Sequence, residues 1–570
     1  MFVLALLLVA AACTSTDDTN NGKKKAGGPE ETPTLKLPLD QDFASPIGVK
    51  RAPEPEGNWF ESACDLPPDQ LKVIARGYDP ERSPEITVVP KEPNFFGSFT
   101  ANSHSGPWDY VQRVPIVFYG PGYIEAQGEI DPDRPVTVAD IAPTIAELVG
   151  MQWPADRSSS SLSEALVPAS ERPSPPKLVV TVVWDGGGRN VLEQWPDAWP
   201  HLKSMIQRGT SFSNAVVGSS PSVTPAAHAN MGSGTFPNNH GIIDIPLRID
   251  NKIVGSWDGK NPQYLKTESL ADLYDMERDN KPLIGMMGDH GWHLGMIGHG
   301  SYLDGADKDF AVLFGHDGGP KEASEFYAYP SYMGEVKGRE EDVKTVDRED
   351  GKADTKWLGN DVLTRGQLEH ESPAGTLYQT RLIRALLETE GFGRDEIPDL
   401  FFTNYKQVDY TGHRFNMLQQ EMQQAVHYSD QELGELEGFL DELVGENQWV
   451  IVMTADHGST PSALATKGWP IGTKEMVADI AEHFEVPENQ LIDEARVTGF
   501  WVNEKSLDSR DITLEDLSDF ILDLRIEDNA VAPVDQLPKG YAERLDEHIF
   551  NAAFPSDQTD EILQCAKVEL

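Results

Sequence analysis

Apolar residues in this chain gather in short dense runs, with longer stretches of helical spacing between them. The densest run is Leu178-Val179-Val180-Thr181-Val182-Val183, mostly β-branched and without alternation. That pattern reads as a strand buried on both faces of a parallel sheet. Leu400-Phe401-Phe402-Thr403-Asn404-Tyr405 and Trp449-Val450-Ile451-Val452-Met453-Thr454 read the same way. Shorter strands are predicted at 86–89, 113–119 and 282–287. Helical spacing appears at 138–149, where Ile141, Ala142, Ile145 and Leu148 share a side, and from Ser372-Pro373 through about Thr389. Further helices are expected at 417–444, 474–484 and 514–524. Strands alternating with helices predict an α/β fold, a doubly wound and mostly parallel sheet.

Composition shifts divide the chain. Residues 1–57 read as a signal and a polar, Pro-rich tether. Residues 58–156 begin the folded part, and 157–176, rich in Ser and Pro, read as a linker. Residues 177–247 and 372–570 carry the core pattern. Residues 248–371 hold many glycines, aromatics and charges but few periodic runs, and read as an inserted cap. The trio His290, His293 and His299 within it reads as loop or core histidines rather than a metal site.

The formal charge of −46 over 570 residues argues against binding to a nucleic-acid backbone, which calls for a basic surface. An anionic substrate would need local cations to capture it. Phe2 to Ala12 is apolar but too short to span a bilayer. Ala10-Ala11-Ala12-Cys13 resembles a bacterial lipoprotein cleavage site, which would make a lipid on Cys13 the membrane attachment of an exported protein; an ordinary secretory signal is the alternative. Cys64 and Cys565 remain, and an exported chain with two such cysteines suggests one disulfide.

Three strands lead into carboxylates: Trp184-Asp185-Gly186, the run to Asp409, and Ala455-Asp456-His457-Gly458. Ligands bind at that end of an open α/β sheet. Asp409-x-x-x-His413 and Asp456-His457 add imidazoles, and mixed Asp and His ligands suit zinc. Thr224-Pro225 reads as a helix start with a capping hydroxyl, and a helix N-terminus is an anion site. His228 and His240 read as packing and turn histidines.

Together, Asp185-Gly186, Pro221-Ser222-Val223-Thr224, Gly234-Thr235-Phe236-Pro237-Asn238-Asn239-His240-Gly241-Ile242, Asp409-Tyr410-Thr411-Gly412-His413 and Asp456-His457-Gly458 resemble the alkaline phosphatase superfamily, nearest its type I phosphodiesterase/nucleotide pyrophosphatase branch. The resemblance implies a metal-dependent hydrolase of small phosphorylated substrates, with Thr224 as nucleophile and two zinc ions. Asp185, Thr224, Asp456 and His457 would hold one ion, and Asp409, His413 and a further histidine the other. The chain departs from the family in three ways. Pro225 offers no N–H beside the nucleophile, Asp244-Ile245-Pro246 stands where members often place an Asn, and the Lys-x-Arg of some monoesterases is not evident. The last of these tilts the expectation toward diesters or nucleotide pyrophosphates, with a monoesterase or an inactive ligand-binding lipoprotein as alternatives. The family's last histidine follows Asp-His-Gly. Here its setting lies near the N-terminus instead: His104-Ser105-Gly106-Pro107-Trp108-Asp109-Tyr110, then Arg113 to Gly122, then Asp140-Ile141-Ala142-Pro143-Thr144. The resemblance thus implies a circular permutation with His104 as the missing ligand.

Overall fold

The computed structural model describes residues 48–99, 103–364, 366–488, 490–529 and 537–570. Cys13 and the tether lie outside them. A nine-stranded sheet forms the centre. Its order is Pro320–Glu322, Phe310–Phe314, Ile284–Gly288, Asp399–Tyr405, Leu178–Trp184, Trp449–Thr454, Ile116–Tyr119, Thr210–Phe212 and Gly128–Ile130. The five strands from Phe310–Phe314 to Trp449–Thr454 run parallel. Ile116–Tyr119 joins antiparallel to Trp449–Thr454.

The apolar runs lack alternation because both faces are covered. Val180, Val182 and Phe401 pack under the helices Pro373–Glu390 and Gln420–Val444. Val179, Val183, Leu400 and Phe402 pack under Ile141–Leu148, Thr224–Ser233 and Leu270–Glu277 on the other side. Each parallel pair therefore requires a helical crossover, which gives the doubly wound architecture.

Three boundaries differ from the sequence reading. Residues 248–371 are not a separate cap: Ile284–Gly288, Phe310–Phe314 and Pro320–Glu322 lie in the central sheet. The strand predicted at 282–287 is there, but in the central sheet, and the short runs of Phe310–Phe314 and Pro320–Glu322 join it because their neighbours supply the burial. Residues 157–176 are packed rather than free, with Leu162 and Ala165 in the core and Leu166 bridged to Ile124. Residues 372–570 do not form one core. Ile492–Arg496, Gly499–Val502 and Phe550–Pro555 build a second, four-stranded antiparallel sheet around Ile86–Pro90. At the margin of that sheet a Cys64–Cys565 disulfide joins helices Trp59–Cys64 and Thr559–Ala566.

Candidate metal centre and nucleophile

The carboxyl ends of the parallel strands gather side chains that lie far apart in the chain. Asp185 is the first residue past Leu178–Trp184. Gly186 follows at φ +69°, and a Cβ there would lie 3.1 Å from the Asp409 Cα, so glycine permits the close approach of the two segments. Asp409 and His413 sit one turn apart on helix Gln407–Phe415, which puts both on one face. His413 Nε2 lies 3.3 Å from Asp409 Oδ1. His104 arrives from a loop, its Nε2 3.6 Å from the same oxygen and its ring stacked 3.5 Å from that of His457. Asp456 follows Trp449–Thr454 and accepts the Gly186 N–H at 2.9 Å.

Thr224 is the first residue of helix Thr224–Ser233, and Val223 occupies the cap position. The expected capping role of Thr224 is therefore corrected. Val223 is extended while Thr224 is already helical, so the Thr224 hydroxyl is not spent on its own helix. Its Oγ1 instead accepts from Lys406 Nζ at 3.2 Å.

Two sets of ligand atoms lie within 4.8 Å of one another, Asp185, Asp456 and His457 in one and His104, Asp409 and His413 in the other. Their hydrogen bonding fits a cation. His457 Nδ1 lies 2.9 Å from the Gly458 carbonyl and so donates its proton there. That turns the Nε2 lone pair inward, 3.5 Å from Asp185 Oδ1 and 3.4 Å from Asp456 Oδ2. Neither Nε2 nor Asp456 Oδ2 has a hydrogen-bond partner among the described residues. A buried lone pair facing carboxylate oxygens is repulsive unless a cation lies between them. His104 repeats the arrangement, Nδ1 lying 3.3 Å from the Ser222 carbonyl. Burial, with neighbouring imidazoles and Lys406, holds His104 well below its ordinary pKa, and burial likewise lowers His457, so both are neutral as ligands must be. Burial and the facing Asp185 push Asp456 up, as befits a carboxylate with no counter-cation beside it. Burial would also raise Asp185 and Asp409. Lys406 at the first, and His413 with Lys406 at the second, hold both carboxyls below the usual range.

A third set, Asp185, His228 and His293, is equally close; both His228 nitrogens and His293 Nδ1 are hydrogen-bonded, while His293 Nε2 has no hydrogen-bond partner among the described residues. His228 Nδ1 donates to the Thr224 carbonyl at 2.8 Å, and its Nε2 accepts from Asn404 Nδ2 at 2.9 Å. His293 Nδ1 accepts the His290 N–H at 3.2 Å, which leaves its Nε2–H facing Asp185 Oδ2 at 3.5 Å. Asn404 Nδ2 reaches the same oxygen at 3.0 Å. These residues orient Asp185. The trio in 290–299 is split accordingly: His293 reaches the centre, while His299 pairs with Asp272 at 2.9 Å. His240 is a turn residue, its Nδ1 accepting the Ile242 N–H at 3.0 Å.

All seven predicted site residues, from His104 to His457, converge. Sequence reasoning missed Lys406, Asn404 and His293. Asn404 and Lys406 stand at a strand end, beside the quoted motif, and that position was their only signal.

This geometry belongs to a class of hydrolases recognisable by comparison. A family model described as type I phosphodiesterase/nucleotide pyrophosphatase matches residues 179–550. The chain belongs to that family, and with it to the alkaline phosphatase superfamily of phosphoric ester hydrolases. It is 20% identical to alkaline phosphatase PafA of Elizabethkingia meningoseptica over 409 residues, 61% of this chain and 72% of PafA. It is 26% identical to alkaline phosphatase PhoV of Synechococcus elongatus over 88 residues, 15% of this chain and 16% of PhoV. The crystal structure of wild-type PafA shares the fold, with a TM-score of 0.51 and 18% identity over 66% of this chain and 84% of PafA.

Proposed function

We propose that this protein hydrolyses small phosphate esters through Thr224, with two divalent cations, most suitably zinc for the Asp/His donors. Asp185, Thr224, Asp456 and His457 would hold one, and Asp409, His413 and His104 the other. Bound there, such cations supply Lewis acidity, which lowers the pKa of a hydroxyl they touch and neutralises charge on phosphoryl oxygens. The chain's own contribution is placement. Thr224, buried at 3% exposure, is held by Lys406, which also reaches Asp185 of one ligand set and Asp409 of the other. Its attack forms an Oγ1–P bond and breaks the P–O bond to the leaving alcohol; Oγ1 gives its proton to solvent water, and the leaving oxygen takes one back from it. A water then attacks phosphorus, breaks the Oγ1–P bond and returns a proton to Thr224. Asn404 and His293 keep Asp185 oriented throughout.

The observation that carries this reading is the inward, unpartnered pair His457 Nε2 and Asp456 Oδ2, which face Asp185, the residue whose Lys406 partner also touches Thr224 Oγ1. Diester or nucleotide pyrophosphate substrates agree with the family, and the Arg of the chain's Lys337-Gly338-Arg339 is paired with Glu369 at 2.7 Å. The family match begins at residue 179, so His104 lies outside it, yet His104 stands at Asp409 and Ile116–Tyr119 lies in the central sheet. Both facts support a circularly permuted chain order. The disulfide supports export to an oxidising compartment, with a lipid on Cys13 as anchor. Among the described residues no helix is long and apolar enough to cross a membrane.

Metal analysis of the purified protein, with turnover of p-nitrophenyl phosphate and bis(p-nitrophenyl) phosphate, tests the reading. Two metals per chain are expected, with the diester preferred and Thr224→Ala lowering kcat ~1,000-fold or more. Metal-loaded protein inert on both esters, or an unaffected Thr224→Ala variant, overturns it.

A further inference from the structure

Lys406 has no exposed surface, yet it carries a charge into the centre of the site. It is the first residue past Asp399–Tyr405 and precedes helix Gln407–Phe415, so the strand end fixes its backbone. Its Nζ lies 2.8 Å from Asp185 Oδ1, 2.8 Å from Asp409 Oδ2 and 3.2 Å from Thr224 Oγ1. The ammonium donates to Asp185 Oδ1 and Thr224 Oγ1 and pairs by charge with Asp409 Oδ2, three partners in all. One comes from each metal-ligand set and the third is the nucleophile. Burying an ammonium costs several kcal/mol unless its partners are well placed.

Among the described residues, no other Lys or Arg comes within ion-pair distance of Asp185, Asp409 or Asp456. The field of Lys406 reaches Asp456, His104, His228 and His457 as well. One donor of the ordinary kind is missing beside Thr224. The next residue is Pro225, which has no N–H. The chain is also strongly acidic overall, so general electrostatics will not draw a phosphate in. The one local cation is in contact with the reacting oxygen.

We propose that Lys406 is a catalytic residue: a fixed ammonium that holds Thr224 Oγ1 and donates to a non-bridging phosphoryl oxygen as the Oγ1–P bond forms. This rests on Thr224 being the nucleophile. The equatorial oxygens of the phosphoryl group gather beside the attacking oxygen, so the N–H that meets Oγ1 in the resting site is already directed at them. The hydrogen bond to Asp185 and the ion pair with Asp409 stop the side chain from swinging away. The donor is therefore preorganised, and its contribution grows as negative charge develops. A role confined to neutralising Asp185 and Asp409 would be fulfilled by any cation of similar reach. Contact with Oγ1 requires a lysine.

The test uses Lys406→Met and Lys406→Arg beside Thr224→Ala. Its readouts are metal content, cooperative unfolding, kcat and KM for bis(p-nitrophenyl) phosphate, and vanadate affinity by calorimetry. Lys406→Met is expected to keep both metals, lower kcat ~100-fold or more with KM little changed, and weaken vanadate by a similar factor. Lys406→Arg keeps the charge on the two carboxylates, so it is expected to fold and bind metal, yet still to lose kcat at least ~10-fold. Full kcat and vanadate affinity in Lys406→Arg would mean a counter-charge only and overturn the proposal. So would a Lys406→Met variant within ~3-fold of wild type in both. If Lys406→Met fails to fold, Lys406→Arg decides alone. An inactive Thr224→Ala beside fully active Lys406 variants would refute the lysine's role and leave the nucleophile standing. An active Thr224→Ala would refute the nucleophile itself.

Discussion

At His104, one ring nitrogen is committed to the Ser222 carbonyl, and the other is thereby turned toward Asp409. The Asp409 carboxylate receives His413 from its own helix and His104 from a loop some three hundred residues away in the chain, so neither histidine alone completes the set. His104→Ala is expected to release one of the two metals and to lower kcat at least ~100-fold, because removal of one ligand from a three-ligand site strips most of its affinity. Unfolding of the metal-free protein should change little. Elemental analysis alongside turnover checks this, and undiminished metal content in the variant would remove His104 from the site. The motif around His104 was legible in sequence, and the lysine opposite it was not. A lone lysine after a strand looks like any surface lysine until three acceptors from distant segments close around it.

Helix Thr224–Ser233 aims Thr224, and its own position depends on contact with the short helix Gly291–Met296. Gly232 makes that contact possible. A Cβ there would fall 2.1 Å from the Gly295 carbonyl oxygen and 2.9 Å from the Met296 Cα, both backbone atoms that cannot rotate away. Gly232→Ala must push the two elements apart. The expected cost is about 1–3 kcal/mol, offset only slightly by the helix preference of alanine. Because Thr224 begins the same helix and His293 lies in the other, the displacement should also lower kcat with both metals retained. Denaturant unfolding and steady-state kinetics on the variant read the two effects separately, and wild-type stability would show that the contact yields without strain. From sequence, Gly232 was one glycine in a helix; the helix it touches was taken for a loop in a cap.

On the scale of the molecule, the two sheets have different tasks. The candidate site residues gather at the carboxyl ends of strands of the nine-stranded sheet, whereas the Cys64–Cys565 bond lies beside the four-stranded one and joins residues 501 apart in sequence. Closing so long a loop restricts the unfolded chain, which is worth about 2–5 kcal/mol. Reduction, or Cys64→Ser with Cys565→Ser, is therefore expected to lower the unfolding temperature by several degrees while kcat at low temperature stays near wild type. Two free thiols in the unreduced protein in addition to Cys13 would show that the bond does not form. The excess of 93 acidic over 47 basic residues acts at this scale too, by keeping the surface hydrated and leaving substrate capture to the cations inside the site.

What the sequence determined by itself is local chemistry. Runs apolar on both faces declare buried parallel strands, and a carboxylate just past such a run is placed by the strand alone, which is why Asp185, Asp409 and Asp456 were legible. The spacing Asp409-x-x-x-His413 declares a shared face because a helix turn is short. What only the tertiary structure decided is everything that depends on several segments meeting. Residues 284–322 belong to the sheet because the Asp399–Tyr405 strand offers an edge to pair with, not because their own pattern demands it. Residues 86–90 leave the central sheet for the smaller one because residues 550–555 pair with them there. Lys406 becomes buried because Asp185, Thr224 and Asp409 surround it. Burial and charge pairing are properties of neighbours, and a chain read in order shows only neighbours in sequence.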